Sequence, residues 1–320
     1  MRAILVRETG KPEVMRIEEL PSPTPGAGEL VIDLEAVGVN PVDTYIRSGA
    51  QGYAPKLPYT PGLDGAGIVS AVGKGVTQLR PGDRVYIAGS LSGTYAEQVC
   101  CLEGQVHPLP KSLSFAQGAG IGVPYGTAYR ALFIRGAAKP GDVVLVHGAS
   151  GGVGLAAVQL AAAVGMRVFA TAGTEEGRLI ACSAGAHAAV DHHAPEHMDE
   201  LLGQLGQSGF DVILEMLANV NLDRDLTALA RGGRVVVVGN RGRVEINPRD
   251  LMGRDASVLG MTLMHASPEE LGRIHAALGA GFERGVLNPI VACELPLDQA
   301  PKAHHWIMEQ PARGKIVLMP

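Results

Sequence analysis

His147-Gly148-Ala149-Ser150-Gly151-Gly152-Val153-Gly154 lies between an apolar strand pattern and an alanine-rich helical one. Before it, Gly141 to Val146 follows a Lys139-Pro140 turn and reads as a buried strand. After it, Leu155 to Gly165 is too long and too rich in alanine for a strand, and Gly165 ends it. A glycine turn between strand and helix lets backbone N–H groups approach a pyrophosphate and aims a helix N-terminus at its charge. The glycine spacing alone is weak, because Ala149 fills the first glycine position and leaves only Gly151 and Gly154. Its flanks give it a mechanism.

The following hundred residues keep alternating. Met166 to Thr171, Gly185 to Val190, Asp211 to Met216 and Gly233 to Gly239 read as strands, with helices over Thr174 to Ser183 and Leu222 to Ala230. Runs apolar on both faces are what parallel strands covered by helices require. The pattern predicts an α/β fold with an open, doubly wound parallel sheet, its ligand at the carboxyl ends of the strands.

The N-terminal third differs. Short β-rich runs (Arg2 to Arg7, Glu29 to Val39, Gly67 to Val72, Arg84 to Ile87) are broken by Pro and Gly clusters such as Pro21-Ser22-Pro23-Thr24-Pro25-Gly26. Past Met264 come a helix over Pro268 to Gly281, a strand over Ile290 to Leu295, a helix over Leu297 to Glu309 and a strand over Gly314 to Met319. The nucleotide domain is therefore read as an insertion, over residues 123–265, into a first domain made of residues 1–122 and 266–320.

Composition fits. The 320 residues suffice for two cores, and 46% hydrophobic content with 43 glycines argues against disorder. A net charge of −5 gives no general attraction for nucleic acid or an anionic membrane. No 18-residue apolar stretch or signal peptide is present, so a cytoplasmic enzyme is expected. Four cysteines without a CxxC pair exclude a zinc ribbon and a disulfide framework.

Three stretches carry a family resemblance: Gly38-Val39-Asn40-Pro41-Val42-Asp43-Thr44-Tyr45, Pro58 to Gly67, and the His147–Gly154 turn. All resemble the medium-chain dehydrogenase/reductase superfamily. Thr171 to Gly177, Glu215 to Asn221 and Glu245 to Asp250 resemble its branch of zeta-crystallin-like NADPH quinone oxidoreductases. The resemblance spans essentially the whole chain. It implies a Rossmann nucleotide domain inserted in a GroES-like β-rich catalytic domain, with hydride passing from NADPH to a quinone in the cleft between them.

The departures inform as much as the matches. Zinc-dependent relatives carry a Cys where Asn40 stands and a His-Glu pair where Leu63-Asp64 stand. Catalytic zinc wants three protein ligands, so no metal is expected here. Val42 replaces their relay hydroxyl, and Tyr86 to Thr94 leaves no room for their four-cysteine lobe. Without a strong Lewis acid, alcohol oxidation is disfavoured. Reduction of a quinone, or of a 2-alkenal or enone, needs less help, and the sequence does not choose between these substrates.

Hydride arriving at such a substrate builds negative charge on oxygen, which fixed hydrogen-bond donors stabilise. Tyr45 offers an O–H donor and Asn40 an amide N–H, while Asp43 could orient them or bind cofactor-side groups. The resemblance implies that Tyr45 lies beside the nicotinamide. The competing readings are a packed tyrosine with a satisfied hydroxyl and an Asn-Pro turn. Tyr53 and Tyr59 flank the same region of the family layout but equally suit packing or surface positions.

Cofactor choice rests on the tip of the second strand, where an acid usually binds the ribose 2′-OH of NAD. Here the tip reads Ala170 to Thr174 without one, and Arg178, His192 and Arg241 are the cationic candidates for a 2′-phosphate. Glu175 is read as a first-turn helix residue, favoured there by the helix dipole. NADPH is expected. The glycine turn contributes Ser150, Gly151, Gly152 and Val153, and the resemblance adds Gly173, His192, Asn221, the stretch Val238, Gly239, Asn240 and Arg241, and the stretch Met261, Thr262 and Leu263.

Other features carry less. His192-His193 and His304-His305 are expected to diverge on a strand or helix, and Cys100-Cys101 to be buried strand residues. Ala256 to Met264 reads as a long uncharged edge strand, which calls for a partner. The resemblance implies pairing across a two-fold axis, hence a homodimer or a homotetramer built from dimers. Some zeta-crystallin-like proteins are lens components or bind RNA, but no basic, aromatic-interleaved stripe supports RNA binding here.

Overall fold

The computed structural model describes residues 1–206 and 208–320, and the side chain of Gln51 is left aside. The chain divides into two compact units. One comprises Met1–Val123, His275–Gln310 and Gly314–Pro320, the other Pro124–Ile274 and Pro311–Arg313.

In the second unit, six parallel strands lie side by side in the order Ala188–Val190, Arg167–Thr171, Val143–Val146, Phe210–Glu215, Leu229–Val237, Ser257–Gly260. By chain position this is 3-2-1-4-5-6, the order of a dinucleotide-binding sheet. Val144, Leu145 and Val146 are fully buried, as are Val212, Ile213 and Leu214 beside them, so helices cover both faces. Each such side chain contributes roughly 1.5–3 kcal/mol through burial. The order reverses between the strands ending at Val146 and Glu215, and their carboxyl ends carry the glycine turn and the start of the helix Ala218–Ala228.

The first unit holds an irregular sheet in the order Val291–Pro296, Lys315–Met319, Glu29–Gly38, Asp64–Val72, Arg84–Ala88, Val106–Pro108. Gln98–Leu102 also pairs with Glu29–Gly38, and Cys100 and Cys101 within it are buried. Only the pairing of Val291–Pro296 with Lys315–Met319 is parallel.

Three expectations need correction. The segment Ala256 to Met264 is a strand only over Ser257–Gly260 and turns into a 3₁₀ helix at Leu263–His265. The Arg130 guanidinium takes the Thr262 carbonyl at 2.9 Å, which removes it from any ladder. The sheet edge is therefore short. The return to the first unit falls at His275 rather than residue 266, because Pro268–Glu283 is one uninterrupted helix. Its start is tied to the second unit by Arg130–Glu270 at 2.6 Å, while His275 stacks on His107 with ring centres 4.0 Å apart. Finally, His192 and His193 sit in a turn, where their rings meet at 4.4 Å instead of diverging.

Candidate active site

In the first unit Asn40 ends an extended segment and Pro41 opens the helix Pro41–Ser48, since proline at the first turn loses no helical hydrogen bond. The Asp43 carboxylate turns back to accept the Asn40 N–H at 2.8 Å, fixing that corner. The Asn40 side chain is spent on two partners. Its Nδ2 donates to Asp64 Oδ2 at 2.8 Å, and its Oδ1 accepts from Lys315 Nζ at 2.5 Å. Lys315 also donates to Asp64 Oδ2 at 3.1 Å, and the Val123 N–H reaches Asp64 Oδ1 at 2.7 Å. Only glycine fits at position 38, because an added Cβ would come within 2.8 Å of Lys315 Cε and 2.9 Å of Asp64 Cβ.

Asp43 lies 2% exposed beside this pair. Burial pushes its carboxyl up to about 7, opposed chiefly by the Asn40 N–H and the Lys315 charge. The Tyr95 hydroxyl bridges it to a second buried group, donating to Asp43 Oδ2 at 3.3 Å and meeting His304 Nε2 at 2.9 Å. Burial drives His304 down to about 3, so that imidazole is neutral. A pocket of about 540 Å³ opens in this unit, with Asp43, Tyr59 and Leu63 in its lining. Tyr45 lies on the same helix as Asp43 and is half-buried, but it is outside that lining.

In the second unit the helix Gly152–Ala163 starts at the glycine turn, with Gly148 at φ 58° and Gly151 as N-cap without a side-chain cap. Its first N–H groups have no helical partner, the arrangement that binds a pyrophosphate. A Cβ at Gly154 would press into Ala149, 2.6 Å from its Cα, so the turn tolerates no side chain there. Gly173 is equally constrained: a Cβ would stand 2.7 Å from His192 Nε2 and 2.8 Å from His193 Nε2. These two rings and Arg178 surround the tip of the second strand, and Arg178 is paired with Asp191 at 3.3 Å. Glu175 is the first residue of its helix, capped by Thr174. Val238 and Gly239 are half-buried, as are Met261, Thr262 and Leu263, while Asn240 and Arg241 are exposed.

Beneath the glycine turn, His147 Nε2 contacts Asp225 Oδ1 at 2.9 Å and Glu215 Oε2 at 3.6 Å, and its Nδ1 faces Thr171 Oγ1 at 3.2 Å. Burial raises Glu215 to about 8 and Asp225 to about 7, and lowers His147. One donor from each lies within 4.8 Å of the others, a spacing that a cation could bridge. Acids raised this far still carry protons close to neutral pH, which competes with any cation. Glu215 Oε1 accepts from Leu217 N–H and from Asn221 Nδ2 at 3.2 Å, which fixes the start of the helix Ala218–Ala228 to the end of its strand.

The sequence reading missed Lys315, Tyr95, His304 and the His147–Glu215–Asp225 group. Gly314-Lys315 and His147 had been seen only as parts of strand or turn patterns. Nothing in their spacing marks them: His147 meets Asp225 across 78 residues, Tyr95 meets His304 across 209, and Lys315 meets Asn40 across 275.

Two family descriptions match: an alcohol dehydrogenase GroES-like domain over residues 26–111, and a zinc-binding dehydrogenase over residues 152–277. The quinone oxidoreductase of Homo sapiens is 47% identical across 100% of this chain and 98% of its own. The chain belongs to the quinone oxidoreductases of the medium-chain dehydrogenase/reductase superfamily. Among solved members of the wider superfamily, Escherichia coli quinone oxidoreductase complexed with NADPH is 31% identical, with a TM-score of 0.90 over 100% of both chains. A structure described as an NAD-dependent alcohol dehydrogenase is 32% identical, with a TM-score of 0.93 over 100% of both.

A quinone oxidoreductase matching a zinc-binding description poses the question of fit. Of the positions where zinc relatives carry ligands, Asn40 offers an amide and Leu63 no donor. Asp64 already holds the Lys315 ammonium. The donors do not fit zinc.

Proposed function

We propose that this chain reduces quinones with NADPH and without zinc. The observation that carries the reading is the Asp64–Lys315–Asn40 cluster, in which two residues at positions where zinc relatives differ are bound to each other and to an ammonium. When bound, the reduced nicotinamide supplies a hydride. An electrophilic quinone accepts it with hydrogen-bond assistance, whereas an alcohol would need its oxygen ionised first.

Support for NADPH comes from the glycine turn and from the acid-free tip of the second strand. In this reading the backbone of Ser150, Gly151, Gly152 and Val153 holds the pyrophosphate. Gly173, Arg178 and His192 hold the 2′-phosphate end, with Arg241 beyond them. Asn221, the Val238–Arg241 stretch, Met261 to Leu263 and Tyr45 complete the cofactor track. Burial favours a neutral His192, so Arg178 supplies the charge, once its contact with Asp191 is exchanged for phosphate. Parallel kinetics with both cofactors and a quinone panel test this. NADPH should exceed NADH at least tenfold in kcat/KM, and equal rates would assign Glu175 to the ribose.

Tyr45 is the donor to the developing oxyanion. Asn40 serves it indirectly, since its amide is engaged by Asp64 and Lys315. Tyr45→Phe should lower kcat by roughly tenfold to a hundredfold with the fold unchanged. Unaltered kinetics would make Tyr45 a packing residue.

A further inference from the structure

Three side chains close on the tip of the second strand of the nucleotide sheet. His192 and His193 follow the third strand, Ala188–Val190, and both Nε2 atoms converge on Gly173, where an added Cβ would stand 2.7 and 2.8 Å from them. Their rings meet edge to face with centres 4.4 Å apart. The Asp191 carboxylate holds this turn by accepting the His193 N–H at 2.9 Å. From the helix Glu175–Ser183, Arg178 Nη1 stands 3.3 Å from Asp191 Oδ2, yet it is buried and makes no hydrogen bond among the described residues. A buried donor left unpaired is costly, which marks Arg178 as ready for a further acceptor.

Charge decides what that acceptor requires. Arg178 and Asp191 cancel, whereas a phosphate monoester brings about −1.5 to −2 at neutral pH. Arg241 is exposed and is held through its backbone N–H, which donates to Asn219 Oδ1 at 2.9 Å. The two imidazoles can make up the difference, since a neutral ring carries one N–H and a protonated ring two, with a positive charge.

Resting on the NADPH reading above, we propose that the His192–His193 pair takes up a proton from solvent as the 2′-phosphate binds, so that cofactor choice is itself set by pH. In the free protein His192 is held below its ordinary value by desolvation and then by His193, which leaves it mostly neutral at neutral pH. Asp191 opposes that shift, while His147 and His197 add to it. Arg178 in turn acts on Asp191. A dianion beside the rings reverses the balance, because an opposite charge favours the protonated form. NADH brings a 2′-hydroxyl without charge and takes up no proton there. The preference for NADPH therefore narrows as pH rises.

Adenosine 2′,5′-bisphosphate and 5′-AMP differ only in that phosphate and involve no hydride chemistry. Their binding can be followed by calorimetry from about pH 7 to about pH 8.5, where a ligand phosphate of pKa near 6 stays dianionic. The native protein should take up a measurable fraction of a proton per bisphosphate, read as a binding heat that varies with the ionisation enthalpy of the buffer. Its Kd should weaken severalfold over that range, within the limit of about tenfold per pH unit that one proton sets. AMP should show neither effect. His192→Gln combined with His193→Gln keeps polar N–H groups that do not titrate. That variant should bind the bisphosphate more weakly at neutral pH, with no proton uptake and a Kd that is flat with pH. A flat Kd in the native protein, or proton uptake that survives the double substitution, would overturn the proposal. A bisphosphate bound no more tightly than AMP at any pH would instead defeat the placing of the 2′-phosphate at this tip.

Discussion

Asp64 in the first unit and Glu215 with Asp225 in the second are equally withdrawn from water, each at 0% exposure. Their neighbours differ chiefly in one respect: Asp64 faces a cation. Asp64 meets an ammonium, an amide N–H and a backbone N–H, so both its oxygens are satisfied. Glu215 and Asp225 meet each other and a single imidazole, and Glu215 also accepts from the Leu217 N–H and the Asn221 amide, but no ammonium or guanidinium among the described residues faces them and one oxygen of each makes no hydrogen bond. The first arrangement keeps a charge buried by supplying its opposite. The second lowers the charge by raising the acids' affinity for protons. Burial makes the demand, and the partner decides how it is met.

The comparison predicts very different costs of mutation. Lys315→Met strips the counter-charge from Asp64 and should destabilise the protein by about 3–5 kcal/mol in denaturant unfolding. Adding Asp64→Asn to that variant should recover much of the loss, because the orphaned charge is then gone. A Lys315→Met protein within about 1 kcal/mol of native would mean that the ion pair is dispensable.

A smaller effect should appear in the second unit, as a change with pH. Glu215 and Asp225 have folded values raised to about 8 and about 7, above their ordinary range near 4. Their contribution to stability is therefore complete below about pH 4 and is lost as pH rises through 7 to 8, by up to about 1.4 kcal/mol per pH unit for each proton released. Asp225→Asn removes one such group. Melting temperatures measured from pH 5 to 8 should fall less steeply in this variant than in the native protein. An equal or steeper fall would show that Asp225 is ionised in the folded state.

The same contrast explains what could be read from the sequence. Strand-turn-helix periodicity is local, and Val143 to Ala163 announced the nucleotide sheet without tertiary information. The glycine at 173 and the missing acid beside it were equally visible. Lys315, Tyr95 and His304 were not, because a buried polar group is defined by partners brought together from distant segments. Asn40 was legible as a substituted ligand position, but its binding to Lys315 was not. The edge strand failed for a related reason, since the Arg130 side chain that interrupts it lies 132 residues away.

In the proposed reaction hydride chemistry is carried by side chains and cofactor alone, with Asn40 and Asp64 bound to Lys315 rather than to a metal. Its most direct test is NADPH-dependent quinone reduction by protein exhaustively treated with a chelator, assayed before and after zinc is added back. The rate should be the same in both states, with no oxidation of simple alcohols. Activity that disappears on chelation and returns with zinc would contradict it.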